Sequence, residues 1–282
     1  MILVADSGST STRWTAAYDS GKLIHIDTEG LNPLTTPKAT FTAICREVRS
    51  QLPQSDRHSK LYFYSAGCGT AATQQQASQM LSLCFTDYTV EVAGDLLGAC
   101  RALCGDRAGM VGILGTGSNV CYYDGNNIAD QITSLGYLLG DEGSANHIGK
   151  KLLKSFFNHT MPETLALAFK QQYDIDVPTV IDHLYHHPCP NRYLGTFALF
   201  ASAHRSDPFI QNALKQSFME FWNNQVKAIS QRSHCTQLHL VGSVADAFKA
   251  EIAATLGTQG CTLGTIVKAP GSKLIEYHLL KQ

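Results

Sequence analysis

The sequence predicts an α/β protein made of two related domains. Three observations carry that expectation. Apolar strand-like runs alternate with helix-period segments along the chain. Each half opens with the same unit: a strand, a turn of glycine and hydroxyl residues, and a second strand. The length of 282 residues suffices for two domains of ordinary size.

In chain order, Met1 to Ala5 is a short apolar strand, and Arg13 to Tyr18 and Lys22 to Ile26 are strands joined at Ser20-Gly21. A helix is predicted from Thr36, with Thr36 at the N-cap and Pro37 in the first helical position. Phe41, Ile44, Val48 and Leu52 then recur at helical spacing. Leu61 to Tyr64 and Tyr88 to Val92 are strands separated by a helix near Ala72 to Leu83, and another helix covers Leu96 to Leu103. The second half starts with strands at Met110 to Leu114 and Asn119 to Tyr123, joined by Gly115-Thr116-Gly117-Ser118. A helix from Ser144 carries Ile148, Leu152 and Phe156, and a longer one runs from Ile210 to Ile229. Gln237 to Val241 and Thr262 to Val267 are late strands. The expected division is residues 1–107 and 108–282. In sheets covered on both faces, ligands bind beyond the carboxyl ends of the strands.

Composition narrows the partners. A hydrophobic fraction of 44% with only 16% charged residues describes a core-forming chain rather than a disordered one. A net charge of −1, with lysine and arginine scattered, gives no electrostatic footprint for nucleic acid. No stretch approaches the ~20 apolar residues of a membrane helix, and Asp6 interrupts the first apolar run, so no secretory leader is expected and the location is expected to be cytoplasmic. Nine cysteines with no C-x-x-C pair read as thiols, not a disulfide framework. Asp182, His183, His186, His187 and Cys189 cluster, but without a zinc spacing.

Six motifs carry candidate chemistry. Asp6-Ser7-Gly8-Ser9-Thr10-Ser11-Thr12 ends an apolar strand, where glycine lets a backbone approach phosphates and Asp6 is placed to hold Mg²⁺. Gly115 to Asn119 repeats that design; a strand follows it, so it is neither a dinucleotide fingerprint nor a Walker loop. Gly94-Asp95 sets a carboxylate at a strand end, as a proton acceptor or as a helix cap. Gly140-Asp141-Glu142-Gly143 brackets two carboxylates with glycines. Asn32, in Gly30-Leu31-Asn32-Pro33, offers donor and acceptor to a sugar hydroxyl or serves a turn. Gly242-Ser243-Val244 is a small-residue turn after a strand, flat enough for an adenine.

Together and in this order, these motifs resemble the BadF/BadG/BcrA/BcrD ATPase family, especially its N-acetylglucosamine kinase branch. The resemblance runs from Asp6 to Ala269-Pro270-Gly271, and Gly140 to Ser144 combined with Gly115 to Asn119 is its most specific part. It implies two RNase H-like (actin-like ATPase) domains hinged over an ATP cleft. It makes Asp6, Gly8, Ser9, Thr10 and Ser11 the first phosphate loop and Gly115, Thr116 and Gly117 the second, with Mg²⁺ at Asp6. Gly242 and Ser243 fall on the adenosine motif, Asp95 on the catalytic base, and Asn32, Thr116 and Asp141 on sugar contacts. Ser11 stands where relatives often carry Lys, Arg13 where they often carry Asp, and Ser243 where a second glycine is frequent. The expected activity is phosphorylation of an amino sugar, N-acetylglucosamine or N-acetylmuramic acid, by ATP and Mg²⁺, and a homodimer is compatible with it. The alternatives are an ATPase activator of a radical dehydratase and a nucleotide-dependent sensor without transfer activity.

Overall fold

A computed structural model describes residues 1–8, 10–53 and 59–281. Strands β1 (Ile2–Ser7), β2 (Ser11–Ala17) and β3 (Leu23–Glu29) form a meander. Helix α1 (Lys38–Gln51), β4 (Ser59–Ser65), α2 (Ala71–Ser82), β5 (Tyr88–Gly94) and α3 (Asp95–Cys104) follow. The sheet has the order β3-β2-β1-β4-β5. β1 pairs antiparallel with β2 and parallel with β4, and β4 is parallel to β5. Ile2, Leu3, Val4 and Ala5 are all buried, as a central strand covered on both faces requires. On one face Trp14 stacks on Phe85 at 5.7 Å, and α1 adds Phe41, Cys45 and Val48.

The start of α1 differs from expectation. Pro37 is the N-cap and the helix begins at Lys38, with no side-chain cap. The Thr36 hydroxyl instead accepts from the Asn32 amide (3.1 Å) and donates to the Gly30 carbonyl (3.3 Å), so the loop takes the group the helix would have used.

The second part contains β6 (Gly109–Leu114), β7 (Ser118–Tyr123), β8 (Ile128–Gln131), the single-turn helix α4 (Gly136–Leu139) and α5 (Ala145–Phe157). Four short helices come next: α6 (Glu163–Tyr173), α7 (Val177–Tyr185), α8 (Pro190–Thr196) and α9 (Ala198–Ala203). Then α10 (Pro208–Phe221) passes through a π-helical turn (Trp222–Val226) into α11 (Lys227–Ser233). The chain ends with β9 (Gln237–Val241), α12 (Ser243–Ala247), α13 (Lys249–Gly257), β10 (Thr262–Val267) and α14 (Gly271–Leu279). Read from β8, the second sheet is β8-β7-β6-β9-β10, the same connectivity as β3-β2-β1-β4-β5. The repeated opening unit in the sequence is thus a repeated topology. The helical core behind this sheet is built from Phe169, Phe197, Phe200, Phe218 and Phe221, with α5 and α8 touching at Gly149. A Cβ there would lie 1.9 Å from the Leu194 carbonyl oxygen.

By contacts, one unit is Met1–Ala108, Tyr123–Ile128 and Ala269–Gln282, and the other is Gly109–Tyr122 and Ala129–Lys268. A single division after residue 107 leaves α14 with the second half, whereas its Leu274 and Ile275 pack on Ile2, Val4, Tyr62 and Tyr64 of the first. No described helix is long and apolar enough to cross a membrane.

α14 is held to the first sheet by a histidine that stays neutral. The His278 ring stacks on Tyr62 at 3.5 Å. Arg101 donates to the Tyr64 hydroxyl oxygen (2.8 Å), so that hydroxyl donates its own proton to His278 Nε2 (2.8 Å). Burial, then Arg101 and Lys60, push the imidazole from 6.5 down to about 3. The unfolded chain binds a proton there that the folded chain does not, so this stabilisation is complete above about pH 6.5 and is lost as pH falls toward 3. The melting temperature should decline across that window, and His278→Phe should flatten the decline whatever its effect at pH 7. Equal pH slopes for parent and variant would contradict the assignment.

Candidate active site

In the first unit the candidate residues gather at the carboxyl ends of the parallel strands. Asp6 on β1 is in register with Tyr64 on β4, and Tyr64 with Ala93 on β5. Ser7, Ser65 and Gly94 form the next row, and Asp95 follows it. Asp6 and Asp95 keep an opening to solvent, but protein crowds both carboxylates. Burial first, and repulsion by Asp95 second, lift Asp6 to about 7, with Arg13 opposing. Burial lifts Asp95 to about 6. Arg13 offers Asp6 only partial relief, because its guanidinium fork is committed to Asp27 at 2.8 and 3.0 Å.

The cap expected of Asp95 falls elsewhere: Gly94 is the N-cap of α3, and Asp95 is its first residue. Asp95 Oδ1 accepts the adjacent Leu96 amide at 2.9 Å, which leaves acceptor capacity on the carboxylate. Beside it, the Cys68 carbonyl lies 3.4 Å from where a Gly94 Cβ would be.

The loop bearing Asn32 is fixed by buried hydroxyls that sequence reading did not single out. Ser7 Oγ accepts the Leu31 amide (2.9 Å), as does Thr12 Oγ1 (3.1 Å). Ser7 Oγ and Ser65 Oγ both donate to the Leu31 carbonyl, at 3.0 and 2.8 Å. The Gly30 amide reaches the Thr10 carbonyl (3.1 Å), and the Gly8 amide the Ser11 carbonyl (3.0 Å), which ties this loop to the first hairpin turn. Ser9 lies outside the described residues. Asn32 Oδ1 accepts the Leu34 amide at 2.9 Å, so half of the side chain serves the turn. Gly67 must be glycine, since a Cβ would lie 2.0 Å from that oxygen. Ser7 and Thr12 were visible as hydroxyls inside the first motif; Ser65 and Gly67 had no sequence signal.

In the second unit the hairpin turn 115–118 lies against the start of α5. The Gly115 and Thr116 carbonyls accept the Ala145 and Asn146 amides (2.9 and 3.2 Å), and the Gly117 carbonyl accepts the Gly115 amide (3.0 Å). The turn's carbonyls are thus consumed internally and do not oppose an approaching anion. Asp141, held at φ 62°, accepts the Ser118 amide (3.1 Å) and Asn146 Nδ2 (2.7 Å). Burial raises its pKa, opposed by those two donors and by Lys150. At 117 a Cβ would sit 2.9 Å from Asp141 Oδ1, so a larger residue there would displace that carboxylate. Gly242 closes on the same turn, its position for a Cβ only 2.1 Å from the Leu114 carbonyl oxygen. The structure therefore assembles Asp6, Gly8, Thr10, Ser11, Asn32 and Asp95 in one unit, and Gly115, Thr116, Gly117, Asp141, Gly242 and Ser243 in the other.

A Porphyromonas gingivalis protein provisionally named an N-acetylglucosamine kinase matches this structure with a TM-score of 0.86 and 36% identity, over 99% of this chain and 98% of its own. The chain belongs to the sugar-kinase family of the actin-like ATPase fold. Two more distant members of the fold agree in architecture. A Chromobacterium violaceum protein with the same provisional name has a TM-score of 0.75 and 16% identity over 98% of both chains. A ROK family glucokinase from Streptomyces griseus, solved with glucose and AMPPNP, has a TM-score of 0.65 and 14% identity over 99% of this chain and 98% of its own. No family model and no curated protein sequence matches the chain.

The hydroxyl clamp on Leu31 gives a stability test. Ser7→Ala removes both a donor to the buried Leu31 carbonyl and an acceptor for its amide. Leaving such groups underpaired costs about 1–3 kcal/mol. Chemical denaturation of the variant should show a midpoint lowered accordingly, with an unchanged slope. An unaltered midpoint would mean that Thr12 and Ser65 suffice.

Proposed function

We propose that the chain is an ATP-dependent kinase for an N-acetylated amino sugar, N-acetylglucosamine or N-acetylmuramic acid, in the N-acetylglucosamine kinase branch of the BadF/BadG/BcrA/BcrD group. The observation that carries this reading is Asp95: a crowded carboxylate at a strand end, lifted to about 6 and bonded by its side chain to one neighbouring amide. A general base works best with a pKa near the operating pH and with an acceptor site left over for the proton it removes. Asp95 takes the proton from the attacking sugar hydroxyl as that oxygen bonds to the γ-phosphorus of ATP and ADP leaves. The turns at Gly8 to Ser11 and Gly115 to Gly117 hold the phosphates, Gly242 and Ser243 the adenosine, and Asn32, Thr116 and Asp141 the sugar.

Magnesium suits the donor chemistry of Asp6. A crowded carboxylate, repelled by Asp95 and short of a committed cation, gains from a hard divalent ion. When bound, that ion neutralises charge on phosphate oxygens. Asp6→Ala should weaken Mg·ATP binding at least ~tenfold by calorimetry, through loss of a charge-assisted contact; unchanged affinity would remove Asp6 from the metal site. The radical-dehydratase reading gains no support here, because Cys100 and Cys104 are both buried in α3.

Asp95→Asn retains the shape of the side chain and an oxygen for the Leu96 amide while abolishing its basicity. The kcat for sugar phosphorylation should fall by ~10²–10⁴, the range for loss of a positioned general base. Melting temperature and binding of both substrates should change little. A kcat within a few-fold of the parent would rule Asp95 out as the base. Asn32→Ala should raise the sugar KM well beyond any change in the ATP KM, and equal changes in both would confine Asn32 to its turn.

A further inference from the structure

A buried polar cluster joins α5 to α10. His147 is 8% exposed and Ser217 is fully buried. His147 Nδ1 lies 2.7 Å from Ser217 Oγ, and Nε2 lies 3.0 Å from Glu220 Oε2. Lys151 donates to the other Glu220 oxygen at 2.6 Å. The Gly143 amide completes the cluster, donating to His147 Nδ1 at 3.2 Å. Side chains of a helix lean back toward its N-terminus, so His147 reaches a residue four positions before it.

An amide can only donate, so Nδ1 is the bare acceptor nitrogen of the ring and Nε2 carries the proton. Ser217 then donates to Nδ1, and Nε2–H donates to Glu220. Burial holds the imidazole below 6.5 against the pull of Glu220, and Lys151 and Lys150 act in the same direction as burial. The ring is therefore neutral at pH 7 and fixed in one tautomer. The order serine, histidine, carboxylate is that of a hydrolytic triad, but a fully buried Ser217 cannot meet a substrate. What the ring holds instead is the loop Gly140 to Gly143. Asp141 sits at φ 62°, a backbone that a non-glycine residue keeps only when its neighbours impose it. Glu142 is held by Asn224 Nδ2 (3.0 Å) and Gln225 Nε2 (2.8 Å), and the Ser144 amide closes on the Asp141 carbonyl (3.1 Å). Gly143 is buried and turns the chain at φ 77°, so without Nδ1 its amide would be a buried donor unpaired.

We propose that His147 is a positioning residue of the kinase site: through Nδ1 it anchors the Gly143 amide and so sets the backbone from which Asp141 presents its carboxylate. This rests on the sugar-kinase reading, with the acceptor at Asp141. Glu220 and Ser217 orient His147 in turn, Glu220 by taking Nε2–H and Ser217 by donating to Nδ1. Loss of the acceptor at Nδ1 frees Gly143 to turn, and Asp141, two residues away, loses its place while the phosphate turns keep theirs.

Two substitutions separate the ring nitrogens. His147→Asn places an amide oxygen where Nδ1 stands, within reach of Gly143, and gives up Glu220. His147→Gln carries its amide one bond further out, toward Glu220, and leaves the Gly143 amide unpaired. With N-acetylglucosamine as acceptor, His147→Gln should raise the sugar KM about fivefold or more, the scale of one buried donor left unpaired, while the ATP KM moves less than about threefold. His147→Asn should keep the sugar KM within about threefold of the parent. An unchanged sugar KM in both variants, whatever their melting temperatures, makes His147 a packing residue and overturns the proposal; an equal rise in both overturns it too. Imidazole nitrogen NMR shifts of the parent, with the His147 signals identified by their loss in His147→Asn, should report a proton on Nε2 alone at pH 7. A proton on Nδ1 refutes the proposal by itself, and this measurement decides should His147→Gln fail to melt cooperatively. A parent that does not phosphorylate N-acetylglucosamine removes the kinase reading and the proposal with it, whereas an active parent whose variants behave alike removes the proposal alone.

Discussion

Both units depend on satisfying buried polar groups at the carboxyl ends of their central strands. A parallel sheet covered on both faces must end in turns that carry amides and carbonyls away from water, and each unpaired one costs as much as a lost hydrogen bond. The first unit meets this demand with hydroxyls: Ser7, Thr12 and Ser65 converge on the two backbone groups of Leu31. The second meets it with a carboxylate: Asp141 takes the Ser118 amide, and Asn146 links Asp141 to the Thr116 carbonyl. These bonds tie the loops that carry candidate chemistry to the strand ends.

Three carboxylates show how location alone separates roles. Asp27 lies on the surface and its pKa is lowered, chiefly by its hydrogen bonds with Arg13, so it remains ionised. Asp141 is buried and raised, but two donors hold it as an acceptor. Asp6 and Asp95 are raised by burial, with Arg13 opposing at Asp6 and backbone amides opposing at Asp95, and Asp95 lifts Asp6 further. Folding leaves such groups unstable as charges until a cation or a proton arrives, the condition under which functional carboxylates are found. The cost falls on unit stability near neutral pH, and the apolar packing around Trp14, Phe63 and Phe85 offsets it.

The same sheet connectivity serves two kinds of scaffold. Behind the first sheet, α1 and α2 form a thin layer, whereas the second sheet backs onto a thick phenylalanine-rich helical core. That depth lets the long α10–α11 helix reach Ser118 and Glu142 from far along the chain.

Sequence by itself determined the pieces whose causes are local. The unbroken apolar run at the start gave the central strand, the helical recurrence of Phe41 and Val48 gave the buried face of α1, and glycine-and-hydroxyl turns marked both hairpins. It likewise marked Asp6, Asp95 and Asp141 as candidates, through motifs whose order along the chain resembles a kinase family. Only tertiary structure decided what those residues experience. The lift of Asp6 by Asp95 joins groups 89 positions apart, and the hold of Gln225 on Glu142 joins groups 83 apart. Thr36 has the neighbours of a helix cap, yet the loop at Asn32 takes its hydroxyl and α1 starts without it. The helix from Ile210 to Ile229 was legible from its period, but its π-turn was not, since periodicity records which face is buried and not which partner a side chain must reach. Gly67 and Gly242 show the limit most plainly: each is required by an atom brought close in space, Asn32 Oδ1 in one case and the Leu114 carbonyl in the other, and no local pattern announces either.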